Sequence, residues 1–262
     1  MKHYFSLYYH FIRNCLMREL EFRFNFFIWT IMGFVWLGLA VASVSLIFGQ
    51  VTTIAGWTKD QTLLLVYTTA IFNDFLWTFV FQNINSFSHM VRHGEMDFVL
   101  LKPISPRFML STRYVEFDHF IRVAFLIYMI THQLSILDIH PAAINWLFYW
   151  LIFFEGFFAV YNIFFFITTT NIWFIRLFNL DEILDNTIQV SRYPLDIYKG
   201  KFKLFLTYVI PIAFVATFPV LALLGQLPFY WLLIGLVIDV ATFLISQRFW
   251  HFAIRHYSSA SS

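Results

Sequence analysis

The sequence predicts an all-α, polytopic membrane protein with six transmembrane helices, an N-terminal amphipathic helix lying in the membrane interface, and both termini in the cytoplasm. Three observations carry that expectation. Hydrophobic residues make up 60% of the chain and charged residues only 12%, about half the charged share of an ordinary soluble domain. The apolar residues come in runs of about twenty, the length that crosses a bilayer. The basic residues are also partitioned. With the N-terminus inside, all but Lys59 of the 17 lysines and arginines fall in four segments: the N-terminus, the loop after the second span, the loop after the fourth, and the C-terminus. Such asymmetry places those four segments in the cytosol. A lone cysteine, Cys15, excludes an internal disulfide and any multi-cysteine metal site. No cleavable leader is expected, because the first long apolar run begins late and no small-residue cleavage site precedes it.

The elements follow in order within a single transmembrane domain, 1–262. Residues 4–24 form the interfacial helix: Phe5, Tyr9, Ile12, Leu16 and Leu20 recur at helical spacing against a polar stripe of His10, Asn14, Arg18 and Glu21. The first span is 26–48. Its small residues Gly38, Ala42, Ser45 and Gly49 share one face, which suits close helix packing within the chain or against a second subunit, the former being the expected use. A short polar loop leads to the second span, 61–82. The polar stretch 83–113 then breaks at Gly94 and again at Pro103 and Pro106. Spans three and four are 118–137 and 146–170. A second polar segment, 171–203, is read as a cytoplasmic loop, and spans five and six are 204–224 and 229–250. Pro211 and Pro219 are expected to kink the fifth span. With Gly225 and Pro228 beyond them, they suggest a broken outer end, a hairpin that re-enters the membrane. The Ser-rich C-terminus reads as a loose tail.

Chemistry-bearing motifs are scarce. The chain has no H-E-x-x-H, no G-x-S-x-G and no G-x-x-x-x-G-K-[ST], so neither a catalytic site nor a nucleotide-binding loop is expected. His89 and His93 are four apart, which is too little to specify a metal. Three acids fall inside spans: Asp74, Glu155 and Asp239. Ionisable groups there are costly and mark a cavity or a partner. Arg122 is the nearby basic candidate to pair with Asp74. Intramembrane carboxylates also leave open a proton-coupled secondary transporter, although no inverted repeat is visible. A non-transporting membrane assembly protein is the third class left open.

The stretch Arg92–Pro103, RHGEMDFVLLKP, is similar to the G-x-[LM]-D-x-x-L-x-[KR]-P segment of ABC-2-type permease subunits. Tyr193-Pro194, Ile197-Tyr198, Ile210-Pro211 and Phe218-Pro219 resemble the second half of their poorly characterised six-span branch, among bacterial ABC exporters. The resemblance implies a permease subunit in the bacterial cytoplasmic membrane, surrounded by lipid and binding no nucleic acid. It would pair with a second permease subunit, same or different, and recruit two copies of a cytosolic ABC ATPase. ATP and Mg would be used by that partner, with no cofactor bound directly by this chain. It assigns a coupling role to the loop, with His93, Gly94, Glu95, Asp97, Lys102 and Pro103 as docking residues. Gly38, Ala42, Asp74, Glu155, Pro211, Pro219 and Asp239 are candidates for the translocation path or subunit interface.

Overall fold

The structure is a computed structural model that describes residues 2–174 and 180–257. Arg176, part of the basic tally above, and the Ser-rich tail lie outside the described residues. The described residues are 80% helical, and no strand is present among them. Five helices are long and apolar enough to cross a membrane, or up to 6 if one bent pair is counted as a span.

Helix α1 (Lys2–Glu21) ends at a break around Phe22, and α2 (Arg23–Phe48) follows. The next crossing is one long rod. It starts at α3 (Lys59–Leu76), where Thr58 and Gln61 form a reciprocal capping box. It passes through a π-helical turn at Trp77–Phe81 and continues as α4 (Gln82–Arg92), 34 residues in all. Two short helices, α5 (Met96–Leu100) and α6 (Pro106–Thr112), fill the loop beyond. Two long helices, α7 (His119–Ile136) and α8 (Ala143–Thr169), return across the bundle. The core between these rods is aromatic, with Phe72, Phe81, Tyr149, Phe153 and Phe214 fully buried.

The small-residue stripe of α2 does not pack within the chain. Gly38 and Ala42 are exposed, while Thr30, Gly33, Ala40 and Val44 form the buried face. The inward face is set instead by what α7 presents to it, as described below.

The largest departure from the sequence reading concerns 171–203. It is not a loop confined to one end. At its start Asn171 Nδ2 donates to Ser88 Oγ at 2.7 Å, beside the end of α4. Helix α9 (Leu180–Gln189) then brings Asp185 next to Asn73 and Trp77. Ser191 and Thr69 share a buried hydroxyl contact of 2.9 Å, and Trp57 Nε1 donates to Asp196 Oδ2 at 3.2 Å, beside the start of α3. The described stretches 171–174 and 180–198 thus lie along the rod from one end to the other, in the reverse direction. Hydropathy misses this because Asp185 and Ser191 are met sideways by Asn73, Trp77 and Thr69.

The stretch expected as the fifth span is bent rather than straight. Helix α10 (Gly200–Tyr208) is tethered by Lys203 to Asp196, at 2.7 Å, near Trp57. At Pro211 the chain bends by 64° into 212–223, which ends in α11 (Thr217–Leu223). The far end comes back to Asn145, whose Nδ2 donates to Ala222 O at 3.3 Å, at the start of α8. The whole of 200–223 is therefore a hairpin with both ends at one end of the bundle, not a span with a broken tip. Pro219 makes no kink: it lies in the first turn of α11, where the missing N–H costs nothing. This arrangement also carries Lys199, Lys201 and Lys203 to the end that holds Lys59. The basic asymmetry persists through the N-terminus, 83–113 and the C-terminus, but is less one-sided than the sequence suggests. Helix α12 (Tyr230–Arg255) closes the bundle by packing along α8.

Candidate functional site: a loop platform and the charged knot behind it

Helix α4 ends in a backbone-determined stop. Glu95 N bonds Met90 O at 2.9 Å and Gly94 N bonds Val91 O at 3.4 Å, with Gly94 at φ 71°. This is a Schellman cap, and its left-handed residue is the one position where glycine is required. The chain reverses there into α5. Ser105 then caps α6, accepting from Phe108 N at 3.4 Å, with Pro106 at the first helical position.

The platform has a small core of its own. Met96 and Val99 point inward onto Phe87, Met90 and Met109, and onto Phe165 of α8 and Trp250 of α12. Its outer side presents Phe98 and Leu101, 69% and 82% exposed. Glu95, Lys102 and Pro103 are exposed around them, as is His93, whereas Gly94 is buried and Asp97 half-buried. His89 and His93 stack at 4.0 Å, with His93 Nδ1 held by His89 O at 2.9 Å, so they form a helix-end pair rather than a two-ligand metal clip. Beside them lies a polar cleft of about 440 Å³ lined by Gln82, Asn85, His89, Glu95, Arg113 and Tyr114.

Three sets of contacts tie the platform to the helices. Arg107 inserts its guanidinium between α8 and α12. It donates to Asn162 Oδ1 at 2.8 Å, to Ser246 Oγ at 3.3 Å and to Gln247 Oε1, and lies over the rings of Phe165 and Phe243. Asn83 clasps the loop exit, donating to Tyr114 O at 2.8 Å and accepting from Tyr114 N at 3.0 Å. Helix α1 lies alongside: Tyr4 packs edge-on against Phe108, Cys15 faces Arg113 O, and Glu19 Oε1 accepts from Phe117 N at 2.7 Å. Burial pushes the Glu19 carboxyl above its usual range, and Asp118 and Glu116 add to the effect against the Phe117 bond. Phe5, Tyr9 and Leu20 of α1 face outward, as an interfacial helix requires. Of these anchors, Arg107 was visible in the sequence only as one more basic residue. The signal lay in the polar Asn162, Ser246 and Gln247 interrupting apolar runs.

Behind the platform is a charged knot. Arg122 of α7 grips Asp74 of α3 with both arms, Nε to Oδ2 at 2.9 Å and Nη2 to Oδ1. The Asp74 side chain is only 1% exposed. His119 Nδ1 lies 3.1 Å from Arg122 Nη2 and 3.4 Å from Asp74. The guanidinium crosses the space where Gly33 of α2 lacks a Cβ; any side chain there would overlap it. The knot therefore joins α2, α3 and α7, and it explains the buried face of α2. It sits just before the π turn, where Thr78 O is free to accept Glu116 N at 3.1 Å. On its rim, donor atoms of Glu116, Asp118 and His119 lie within 4.8 Å of one another, the one group among the described residues with metal-ligand spacing.

The remaining candidates fall in two places. Glu155 and Asp239 lie on the α8–α12 seam, with the Glu155 carboxyl beside Gly235 and the Phe214 ring of the hairpin. Pro211 and Pro219 are buried in the hairpin, and Gly38 and Ala42 face outward.

Among the described residues the chain is a bundle of long apolar helices with a loop platform at one end. Residues 34–261 match the family described as ABC-2 family transporter protein, and the chain belongs to that family as a permease-type membrane subunit. No curated protein and no solved structure matches the chain.

Proposed function

We propose that this chain is the membrane half of an ABC exporter of the bacterial cytoplasmic membrane, driven by a separate cytosolic ATPase that docks on the platform. Permeases of this family generally work with an ABC ATPase. The observation that carries the docking assignment is the pairing of an exposed apolar tip, Phe98 and Leu101, with an underside anchored on α8 and α12. Exposed aromatic and aliphatic side chains over a rigid base suit insertion into a partner's pocket. Glu95, Lys102, His93 and Pro103 form the polar rim, and Gly94 sets the reversal that presents it. On this reading the platform, α1 and both termini face the cytosol, and 171–198 is the fifth of six crossings. The hairpin then enters from the outer side. Two permease subunits pair, with the open Gly38–Ala42 face as their contact, and two ATPase copies use ATP and Mg below them.

Platform movement would reach the spans along the anchors: through the rod to Asp74, through Arg107 to α8 and α12, and through Glu19 to α1. The paired state of Asp74 favours this over a proton relay through that residue. The test is a pull-down of the tagged protein in mild detergent, comparing wild type with Phe98→Asp and Leu101→Asp. A stoichiometric ATPase with wild type, lost in both variants at equal expression, is the expected result. Purification alone, or an ATPase retained by both variants, would remove the docking assignment.

A further inference from the structure

The short link between the platform and α7 brings two carboxylates and an imidazole together on the rim of the knot. Its backbone is pinned on both sides. Glu116 N donates to Thr78 O at 3.1 Å in the π turn, and Phe117 N donates to Glu19 Oε1 of α1 at 2.7 Å. Glu116 and Asp118 flank Phe117, and His119 opens α7 beside them. One donor atom from each of Glu116, Asp118 and His119 lies within 4.8 Å of the other two. These side chains are sheltered, at 26%, 13% and 12% exposed.

The histidine is oriented as well as placed. Its Nδ1 faces inward, 3.4 Å from Asp74 Oδ1, the oxygen on which Arg122 Nη2 also converges. Its Nε2 faces the other way, 3.5 Å from Asp118 Oδ1 and 3.8 Å from Glu116 Oε2. An imidazole that gives its Nδ1–H to a carboxylate presents the Nε2 lone pair opposite, which is how metal-bound histidines are held. Neither Nε2 distance is a hydrogen bond, which would bring N and O to about 3 Å. Both are close to the ~3.4 Å that separates two ligands set tetrahedrally around one zinc ion.

No lysine or arginine neutralises these acids. Among the described residues, the ion pairs of Glu116 and Asp118 are with His119 alone. Arg122 is engaged by Asp74, while Arg18 and Arg113 lie 5.6 and 5.2 Å from the Tyr114 ring centre. Glu19 adds a third carboxylate against the link, and its Oε2 is closed off from solvent with no hydrogen-bond partner.

We infer that Glu116, Asp118 and His119 form a binding site for a zinc-class divalent cation, with Glu19 supplying further negative charge beside it. The imidazole nitrogen selects such a metal over calcium or magnesium, which prefer oxygen alone. The ion ties the link to the first turn of α7, and His119 is braced from behind by Asp74 of α3. A metal bound here clamps the foot of the interfacial helix to the knot. The inference does not rest on the ATPase assignment, which uses Phe98 and Leu101.

Calorimetric titration of the chelator-treated full chain in lipid nanodiscs tests it. Wild type should bind one Zn²⁺ per chain, and Ca²⁺ at the same concentration should give no binding heat. The double variant Glu116→Gln with Asp118→Asn keeps the side-chain shapes and the contact of His119 with Asp74. It should bind Zn²⁺ about tenfold or more weakly. X-ray absorption at the zinc edge should show one imidazole among oxygen ligands, which separates this site from the His89–His93 pair. No Zn²⁺ binding by wild type, unchanged affinity in the double variant, or a shell of two imidazoles would each overturn the inference. Equal binding of Ca²⁺ would overturn the role of His119 as a ligand. Phe98→Asp should bind Zn²⁺ as wild type does whether or not an ATPase docks, so the two readings fail separately.

Discussion

The knot at Asp74 and the seam at Asp239 each bury an aspartate, and they differ in what surrounds the carboxyl. Asp74 has a bidentate arginine, and a glycine on a third helix makes room for it. Asp239 has another acid for a neighbour and no donor. The first arrangement fixes three helices in one geometry. The second leaves a carboxyl oxygen that no group of the chain bonds. A buried acid thus locks helices together only where the adjacent helix supplies a donor.

Substitution at the knot should break the comparison most strongly. Asp74→Ala strands a buried guanidinium and should cost about 3–5 kcal/mol, read as a large fall in thermal stability in detergent. The exchange Asp74→Arg with Arg122→Asp should recover part of that loss. Gly33→Leu comes next, because the new side chain must displace the guanidinium: about 1–3 kcal/mol is expected in the same assay. At the seam, Asp239→Asn should be nearly neutral, within about 1 kcal/mol, since no favourable charge interaction is removed. A loss there as large as that of Asp74→Ala would erase the distinction.

The smallest effect concerns Glu19, outside the spans. Its carboxyl is raised in the folded state, so the folded protein holds a proton that the unfolded chain releases, and stability declines as pH rises from about 4.5 through the raised value. Glu19→Gln keeps the acceptor for Phe117 and removes the titration. It should melt slightly higher than wild type at neutral pH, with the difference vanishing below about pH 4.5. A gap independent of pH would show that the effect is packing alone.

Much of this was readable from residue order, and the misses have physical causes. The break at Gly94, the long helices and the Asp74–Arg122 pairing follow from local chemistry and from the scarcity of basic residues within spans. The reading of 171–203 as a loop failed because hydropathy scores a segment as though lipid surrounded it. Asp185, Ser191 and Asp196 face Asn73, Thr69 and Trp57 instead. The apolar 204–224 misled in the reverse direction: 211–223 is apolar because it is buried among helices, while Leu204, Phe205, Tyr208 and Val209 stay exposed, and the segment turns back on itself at Pro211. Gly33 could not be distinguished from Gly38 until the partner helix showed which of them an arginine crosses. The exposed pair Phe98 and Leu101 was concealed by the polar residues around it in the motif.

The rod that begins at the Thr58 cap has a further mechanical meaning. Its 34 residues rise about 50 Å, whereas the hydrocarbon of a bilayer is about 30 Å thick. Some 20 Å of continuous helix must therefore stand clear of the oil or lean within it, and one end of that helix carries the platform. The π turn at Trp77–Phe81 lies just past the Asp74 grip, so a looser turn sits beside a fixed point of the rod; on the proposed docking, a sideways push at Gly94 would become a tilt of the buried length.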